Sequence, residues 1–132
     1  MTIFQGDIYW IDLGEPQGSE PAYLRPCVVV QNDALNQSQI GTVIVCPLTT
    51  NLRRAKAIGN VLLNEGEGNL PESSVVNVSQ VFTVDKRLLT ESIGRLSQEK
   101  IKLIIQGMKG SSVCVMQWTG VIRDGTLIEK GI

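Results

Sequence analysis

An arginine, a threonine and a glutamate hold positions from which this chain could act on a phosphodiester. Gly18-Ser19-Glu20 lies in a stretch of glycine, proline and polar residues, and Arg25 closes that stretch just before Pro26 and a β-branched run. Leu48-Thr49-Thr50 ends the next apolar run. If the two runs pair as a hairpin, Arg25 at the start of one and Thr49 at the end of the other come to the same sheet edge. A guanidinium there would stabilise the charge that builds on phosphoryl oxygens when a ribose 2′-hydroxyl attacks, through paired hydrogen bonds. The Thr49 hydroxyl could donate another bond, and Glu20 could take the proton from the 2′-hydroxyl. Each residue also has an ordinary reading. Arg25 fits a salt-bridging residue at a strand start, Thr49-Thr50 fits strand-end and turn chemistry, and Glu20 fits a solvated loop carboxylate.

Composition narrows the chemistry by exclusion. There is no histidine among the 132 residues, which removes a Ser-His-Asp triad, a His-bridged zinc and a two-histidine ribonuclease mechanism. The formal net charge is −1, so any nucleic acid would have to be attracted by a local basic patch. Cys27, Cys46 and Cys114 are odd in number and form no C-x-x-C pair, which argues against a disulfide framework or a zinc site and fits a cytoplasmic setting. No metal or other cofactor is expected. The opening residues lack a basic segment followed by a long apolar one, so no secretory leader is expected. No apolar run approaches the roughly 20 residues of a membrane span. A length of 132 residues with 42% hydrophobic and 19% charged residues fits one ordered domain.

Short strands and one helix must position these residues. Asp7 to Asp12 alternates as a half-buried strand does, and residues 26–31, 42–48, 60–63 and 74–78 read as further strands. A long loop covers 13–23 and a shorter one 64–69. Ser97 is a good N-cap with Glu99 in the first turn, although Lys100 stands where a capping box would place Glu or Gln. Ile101, Ile104, Ile105 and Met108 then share one helical face, with Gly110 as the stop. That face should pack on the barrel or on a partner subunit. The reading is a mainly β chain with a C-terminal helix, its strands forming a small barrel over residues 1–110. Residues 111–132 form a tail with an Asp124-Gly125 hairpin signal, either an added hairpin or a foreign extension.

Three strings occur in order. They are Gly6-Asp7-Ile8-Tyr9-Trp10-Ile11-Asp12-Leu13 with Gly18-Ser19-Glu20 and Arg25-Pro26-Cys27-Val28-Val29-Val30-Gln31-Asn32-Asp33; Val43-Ile44-Val45-Cys46-Pro47-Leu48-Thr49-Thr50; and Gln80-Val81-Phe82-Thr83-Val84-Asp85-Lys86-Arg87-Leu88. Together they resemble the MazF/PemK toxins, from about Gly6 to Met108. The resemblance implies an SH3-like plasmid-toxin barrel, a homodimer, and metal-independent cleavage of single-stranded RNA to 2′,3′-cyclic phosphate and 5′-hydroxyl ends. It implies Arg25 and Thr49 as the catalytic pair. It also implies a MazE-like antitoxin whose disordered acidic tail occupies the RNA groove.

The chain departs from the family's pattern after Glu20, where it has Pro21-Ala22-Tyr23-Leu24. That leaves Glu20 a candidate base rather than an assigned one. Phe82 stands where many relatives carry arginine, and its ring could stack on a base or fill the core. Arg53, Arg54 and Lys56 form the densest basic cluster and, beside Thr50, could contact RNA phosphates or simply solvate a loop. Ser19 completes the loop candidates. Asn32 and Gln80 carry donor–acceptor pairs suited to base edges, though an Asn in a turn often bonds its own backbone. Tyr9 and Trp10 read as core and interface aromatics. Two alternatives stay open: a CcdB-like gyrase poison, which Lys130-Gly131-Ile132 fits poorly for want of a tryptophan, and a catalytically silent barrel that binds an antitoxin.

Overall fold

The computed structural model describes residues 2–14 and 24–110, with the backbone of 120–123 and 126–129. Strands β1 (Asp7–Asp12), β2 (Leu24–Val29) and β3 (Thr42–Thr49) are successive antiparallel neighbours. β2 begins two residues earlier than its apolar run suggests, so Arg25 lies inside the strand, opposite Ile11. Pro26 is tolerated there because the ladder to β3 stops at Cys27↔Pro47 and leaves β2 paired on one side only.

The long strand β3 changes partners along its length. Its first half pairs with β6 (Phe82–Asp85), while Leu48 and Thr49 pair with β5 (Ser74–Val76), which also pairs with β4 (Val61–Leu63). β7 (Glu91–Arg95) takes the other edge of β1. The sheet order is β7-β1-β2-β3-β6-β8-β9, where β8 (Gly120–Arg123) joins β6 in parallel and β9 (Thr126–Glu129) folds back on β8. The sheet curls into a half-barrel, and the turn at Glu67–Asn69 spans the gap from β4–β5 to β7, with Asn69 Nδ2 donating to the Ile93 carbonyl at 3.1 Å. Gly94 is required at this closure, since a Cβ there would strike the Gly68 carbonyl.

The hairpin signal in the tail corresponds to β8–β9. β7 and the one-turn helix α1 (Asp33–Asn36) are elements that the apolar patterning does not announce, whereas β6 is absent from the strands read above although Phe82-Thr83-Val84-Asp85 alternates as a strand does. Glu91-Ser92-Ile93-Gly94-Arg95 carries a single large apolar side chain, and tertiary closure makes it a strand.

Both faces of the central strands are buried. Ile8, Val28, Cys46, Leu48, Leu63, Val76 and Leu96 pack with helix α2 (Gln98–Gly110) on one side. Tyr9, Ile11, Cys27, Val29, Val45, Phe82 and Val84 form a second cluster on the other. This double burial is why β2 and β3 read as continuous apolar runs. In α2, Ile101 and Ile104 are buried and Ile105 and Met108 pack beside them, so the apolar face meets the sheet. Ser97 Oγ accepts the Lys100 N–H at 3.3 Å as the cap. No helix among the described residues is long and apolar enough to cross a membrane.

Candidate functional site

Beyond Pro47, β3 turns to β5 while β2 stays with β1, and the parting strands open a cleft of about 320 Å³. Leu24, Arg25 and Pro26 line it from β2, Trp10 from β1, and Leu48 and Thr50 from the end of β3. Leu70, Pro71, Glu72 and Ser74 complete the wall. Cys27↔Pro47 is the last β2–β3 pair, and Arg25 and Thr49 each lie two residues beyond it on the face that carries Cys27. The field of Arg25 reaches that thiol. Burial and the neighbouring Cys46 push the Cys27 thiol up, and the Arg25 charge pulls it back.

Arg25 is half-buried, a position where a guanidinium keeps contact with solvent yet has its stem held by strand neighbours. Thr49 is also half-buried, and its Oγ1 accepts the Asn51 N–H at 3.2 Å. That bond occupies a lone pair of the hydroxyl oxygen and leaves donation to its hydrogen. Asn51 in turn caps a 3-10 turn at Leu52–Lys56 by accepting the Arg53 N–H at 3.2 Å. Asn60 Nδ2 fixes the same turn through the Arg54 carbonyl at 2.9 Å. Arg53, Arg54 and Lys56 are exposed on it. Arg53 is three positions after the lining residue Thr50, so their Cα atoms lie within about 11 Å and the basic turn begins near the rim of the cleft without lining it.

Other expected residues lie elsewhere. Asn32 is at the far end of β2, beyond about 16 Å of extended chain. Its side chain caps α1 by accepting the Leu35 N–H at 3.0 Å, so it does not face the cleft as a base reader. Phe82 is 2% exposed in the second core cluster, and its ring cannot serve as an open stacking surface. Gln80 is half-buried at the end of a 3-10 turn whose Asn77 N–H bonds the Pro47 carbonyl at 3.0 Å, on the edge of β3 turned from β2. It does not line the cleft. Ser19 and Glu20 fall outside the described residues. Tyr9 is core, as expected, but Trp10 is half-buried and lines the cleft.

Trp10 and Glu72 are the residues that the motif reading passes over. Trp10 alternates with Tyr9 and Ile11, which both join the second cluster, so its placement on the other face was available from period alone. Glu72 had no such signal, because its position depends on the loop before β5. A larger groove of about 580 Å³ runs between β4 and α2, but Lys100 is its one charged lining residue and no hydroxyl lines it. Among the described residues, no three Cys, Asp or Glu side chains gather to hold a metal ion.

A fixed cation, a donating hydroxyl and a nearby basic turn suit an anionic polymer substrate. The profile of the PemK-like, MazF-like toxins of type II toxin–antitoxin systems matches residues 4–110. The chain belongs to this toxin family. It is 39% identical over 109 residues to endoribonuclease MazF2 of Mycobacterium bovis and to endoribonuclease MazF6 of Mycobacterium tuberculosis, covering 83% of this chain and 96% of each relative. The fold matches a mycobacterial endoribonuclease solved with its cognate antitoxin, with TM-score 0.69 and 21% identity over 85% of this chain and 96% of that one. It also matches MazF of Deinococcus radiodurans, with TM-score 0.68 and 23% identity over 86% and 97% of the two chains. The MazF/PemK resemblance and the half-closed barrel with its C-terminal helix are thus established.

Proposed function

We propose that this chain is a MazF-type toxin endoribonuclease that cuts single-stranded RNA at the parted ends of β2 and β3. Arg25 lines the cleft there, and Thr49 stands between the lining residues Leu48 and Thr50 without lining it itself. The matched positions of these two residues, on strands that have just parted, carry the reading. A hydrogen-bonded sheet would bury that edge, whereas parted strands leave room for a phosphate between a guanidinium and a hydroxyl.

In the reaction the ribose 2′-hydroxyl oxygen attacks the adjacent phosphorus, and the bond to the 5′-oxygen breaks. The products are a 2′,3′-cyclic phosphate and a 5′-hydroxyl. Arg25 offers two parallel N–H bonds to the phosphoryl oxygens as their charge grows, and Thr49 adds a third from its hydroxyl. Glu20, in the segment that precedes β2 in sequence, is the candidate acceptor for the 2′-hydroxyl proton, with Ser19 next to it in the chain. Thr50, Arg53, Arg54 and Lys56 would hold the flanking backbone by charge. The same basic turn suits the acidic tail of an antitoxin, the kind of partner present in one of the matched structures. The working unit is read as a homodimer in the cytoplasm.

Purified protein incubated with single-stranded RNA in EDTA should release cyclic-phosphate ends. The Arg25→Ala variant should lose nearly all of that activity and Thr49→Val most of it, while both stay folded by thermal melt. Equal cutting by parent and both variants would overturn the assignment. With no histidine in the chain, the rate should show no protein inflection near pH 6.5.

A further inference from the structure

The cleft beside Arg25 has more in it than phosphate chemistry needs. Most of its wall is apolar, with the Trp10 ring at one side and Leu24, Pro26, Leu48 and Pro71 around it. A phosphate gains nothing from such surfaces; a nucleobase does, because every base has a face that stacks on an aromatic ring. The volume of about 320 Å³ lies at the lower end of the roughly 300–1,000 Å³ typical of small-ligand pockets, which suits one base rather than several.

One acidic side chain also lines this cleft, and the catalytic pair does not require it. Glu72 lies in the loop before β5, and the buried Ser74 hydroxyl donates to its carbonyl at 3.0 Å, tying down the backbone from which the carboxylate projects. We propose that the cleft seats one base of the RNA, stacked on Trp10, and that the Glu72 carboxylate reads its hydrogen-bonding edge. The proposal rests on the reading that RNA is cut at this edge, and it assigns Glu72 to specificity rather than to bond cleavage.

An ionised carboxylate only accepts hydrogen bonds. The base it favours must therefore present N–H groups. Guanine presents two parallel donors, N1–H and the N2 amino group, to the two carboxylate oxygens. Cytosine and adenine each present one exocyclic amino group. Uracil has a single N–H between two carbonyl oxygens, which would face the negative charge. Selection at one position should thus run guanine first, cytosine and adenine next, and uracil last. Stacking on Trp10 supplies affinity without choosing, and Glu72 chooses.

Two measurements on the full chain test this. In the first, the parent and Glu72→Gln cut a pool of single-stranded RNA with randomised sequence, and the cut sites are read. The parent should disfavour uracil at one position by about tenfold or more, the scale of a good carboxylate or amide contact to a base edge. Glutamine, with both a donor and an acceptor, should reduce that bias to less than about threefold while still cutting. In the second, Trp118→Phe leaves Trp10 as the sole tryptophan. An oligonucleotide made uncleavable by a 2′-deoxy sugar at the cut site should then change its fluorescence. A guanine-bearing oligomer should act at lower concentration than its uracil counterpart, and Glu72→Gln should close the gap.

If the parent cuts RNA but Glu72→Gln keeps the same base preference, the specificity role of Glu72 falls and the proposed function stands. A Trp10 signal that ignores a bound oligomer overturns the stacking role. A folded Glu72→Gln that cuts no sequence moves Glu72 into the chemistry and also overturns the assignment. If the parent neither cuts nor binds RNA, both readings fail together.

Discussion

At one end of the β2–β3 ribbon the strands run on together and the polar side chains bind one another; at the other the strands part and the polar side chains border a cleft. The closed end is a connected network. Gln31 Nε2 donates to Asn36 Oδ1 at 3.0 Å and to the Thr42 carbonyl at 3.3 Å, while Asn36 Nδ2 donates to the Gln31 carbonyl at 2.8 Å and to Asp33 Oδ1 at 3.1 Å. Asp33 Oδ1 also accepts the Gln5 N–H at 2.7 Å, and Lys86 Nζ donates to the Asn36 carbonyl at 3.0 Å. At the open end Thr49 accepts one backbone N–H, and Ser74 donates to one carbonyl. Polar side chains thus do opposite work at the two ends. Amides satisfied inside the chain hold the fold, and groups set along a cleft wall are placed for a ligand.

Substitutions at the two ends should therefore separate activity from stability. The largest effect is expected at Arg25. Arg25→Ala should lower cleavage by on the order of 10²–10³-fold, the scale of removing one preorganised donor from a transition state. The folding free energy should move by about 1 kcal/mol, the ordinary scale for a half-buried position whose stem packs on its strand neighbours. Arg25→Lys should recover little, because an ammonium cannot reproduce the paired bonds of a guanidinium. A strongly destabilised but active Arg25→Ala protein would place Arg25 in the fold instead.

Asn36→Ala should show the reverse pattern. It removes an amide that is 5% exposed and leaves the Gln31 carbonyl and Gln31 Nε2 each short of a partner. Urea unfolding should register a loss of about 1–3 kcal/mol. The cleavage rate per folded molecule should stay at the parent's value. Back at the open end, Thr49→Val keeps the shape and removes the hydroxyl. A neutral donor contributes roughly half of a charge-assisted one, so the rate should fall on the order of 10- to 30-fold. Thr49→Ser should restore most of it.

The contrast between the ends also explains what was readable beforehand. Asp7–Asp12 was legible as a strand because four apolar and aromatic residues run between two aspartates. The first residues of β2 and the last of β3 were legible as one sheet edge because antiparallel pairing brings those ends to the same side. The cleft itself was not. It arises because β3 leaves β2 beyond Pro47 while its other edge passes from β6 to β5, a tertiary event that leaves no local pattern, and so nothing marked Glu72, or the open face of Trp10, as part of a site. Asn32 and Phe82 each had two readings open for related reasons, and the structure favours the ordinary one for both. An amide looks the same whether it caps a helix or awaits a base, and a phenylalanine in a family's cationic position can be buried by the barrel. β7 was hidden because its five residues are mostly polar, and its pairing with β1 is what makes it a strand.

Asn32 gives the smallest and most discriminating effect. It follows the strand that carries Arg25 by three residues, its side chain is exposed, and its chemistry suits a base edge, so proximity in sequence argues for a place at the RNA. Its hydrogen bond argues otherwise, because Oδ1 accepts the Leu35 N–H and thereby ends β2 in α1. Asn32→Ala should cost about 1 kcal/mol of stability, the usual scale for a lost N-cap. Asn32→Asp should retain most of it, because a carboxylate oxygen can accept the same N–H near the start of a helix. Neither change should alter where RNA is cut or how tightly an uncleavable oligomer binds. If Asn32→Ala shifted the cut-site preference without changing the urea midpoint, the closed end would be part of the RNA surface, and the division between the two ends of the ribbon would not hold.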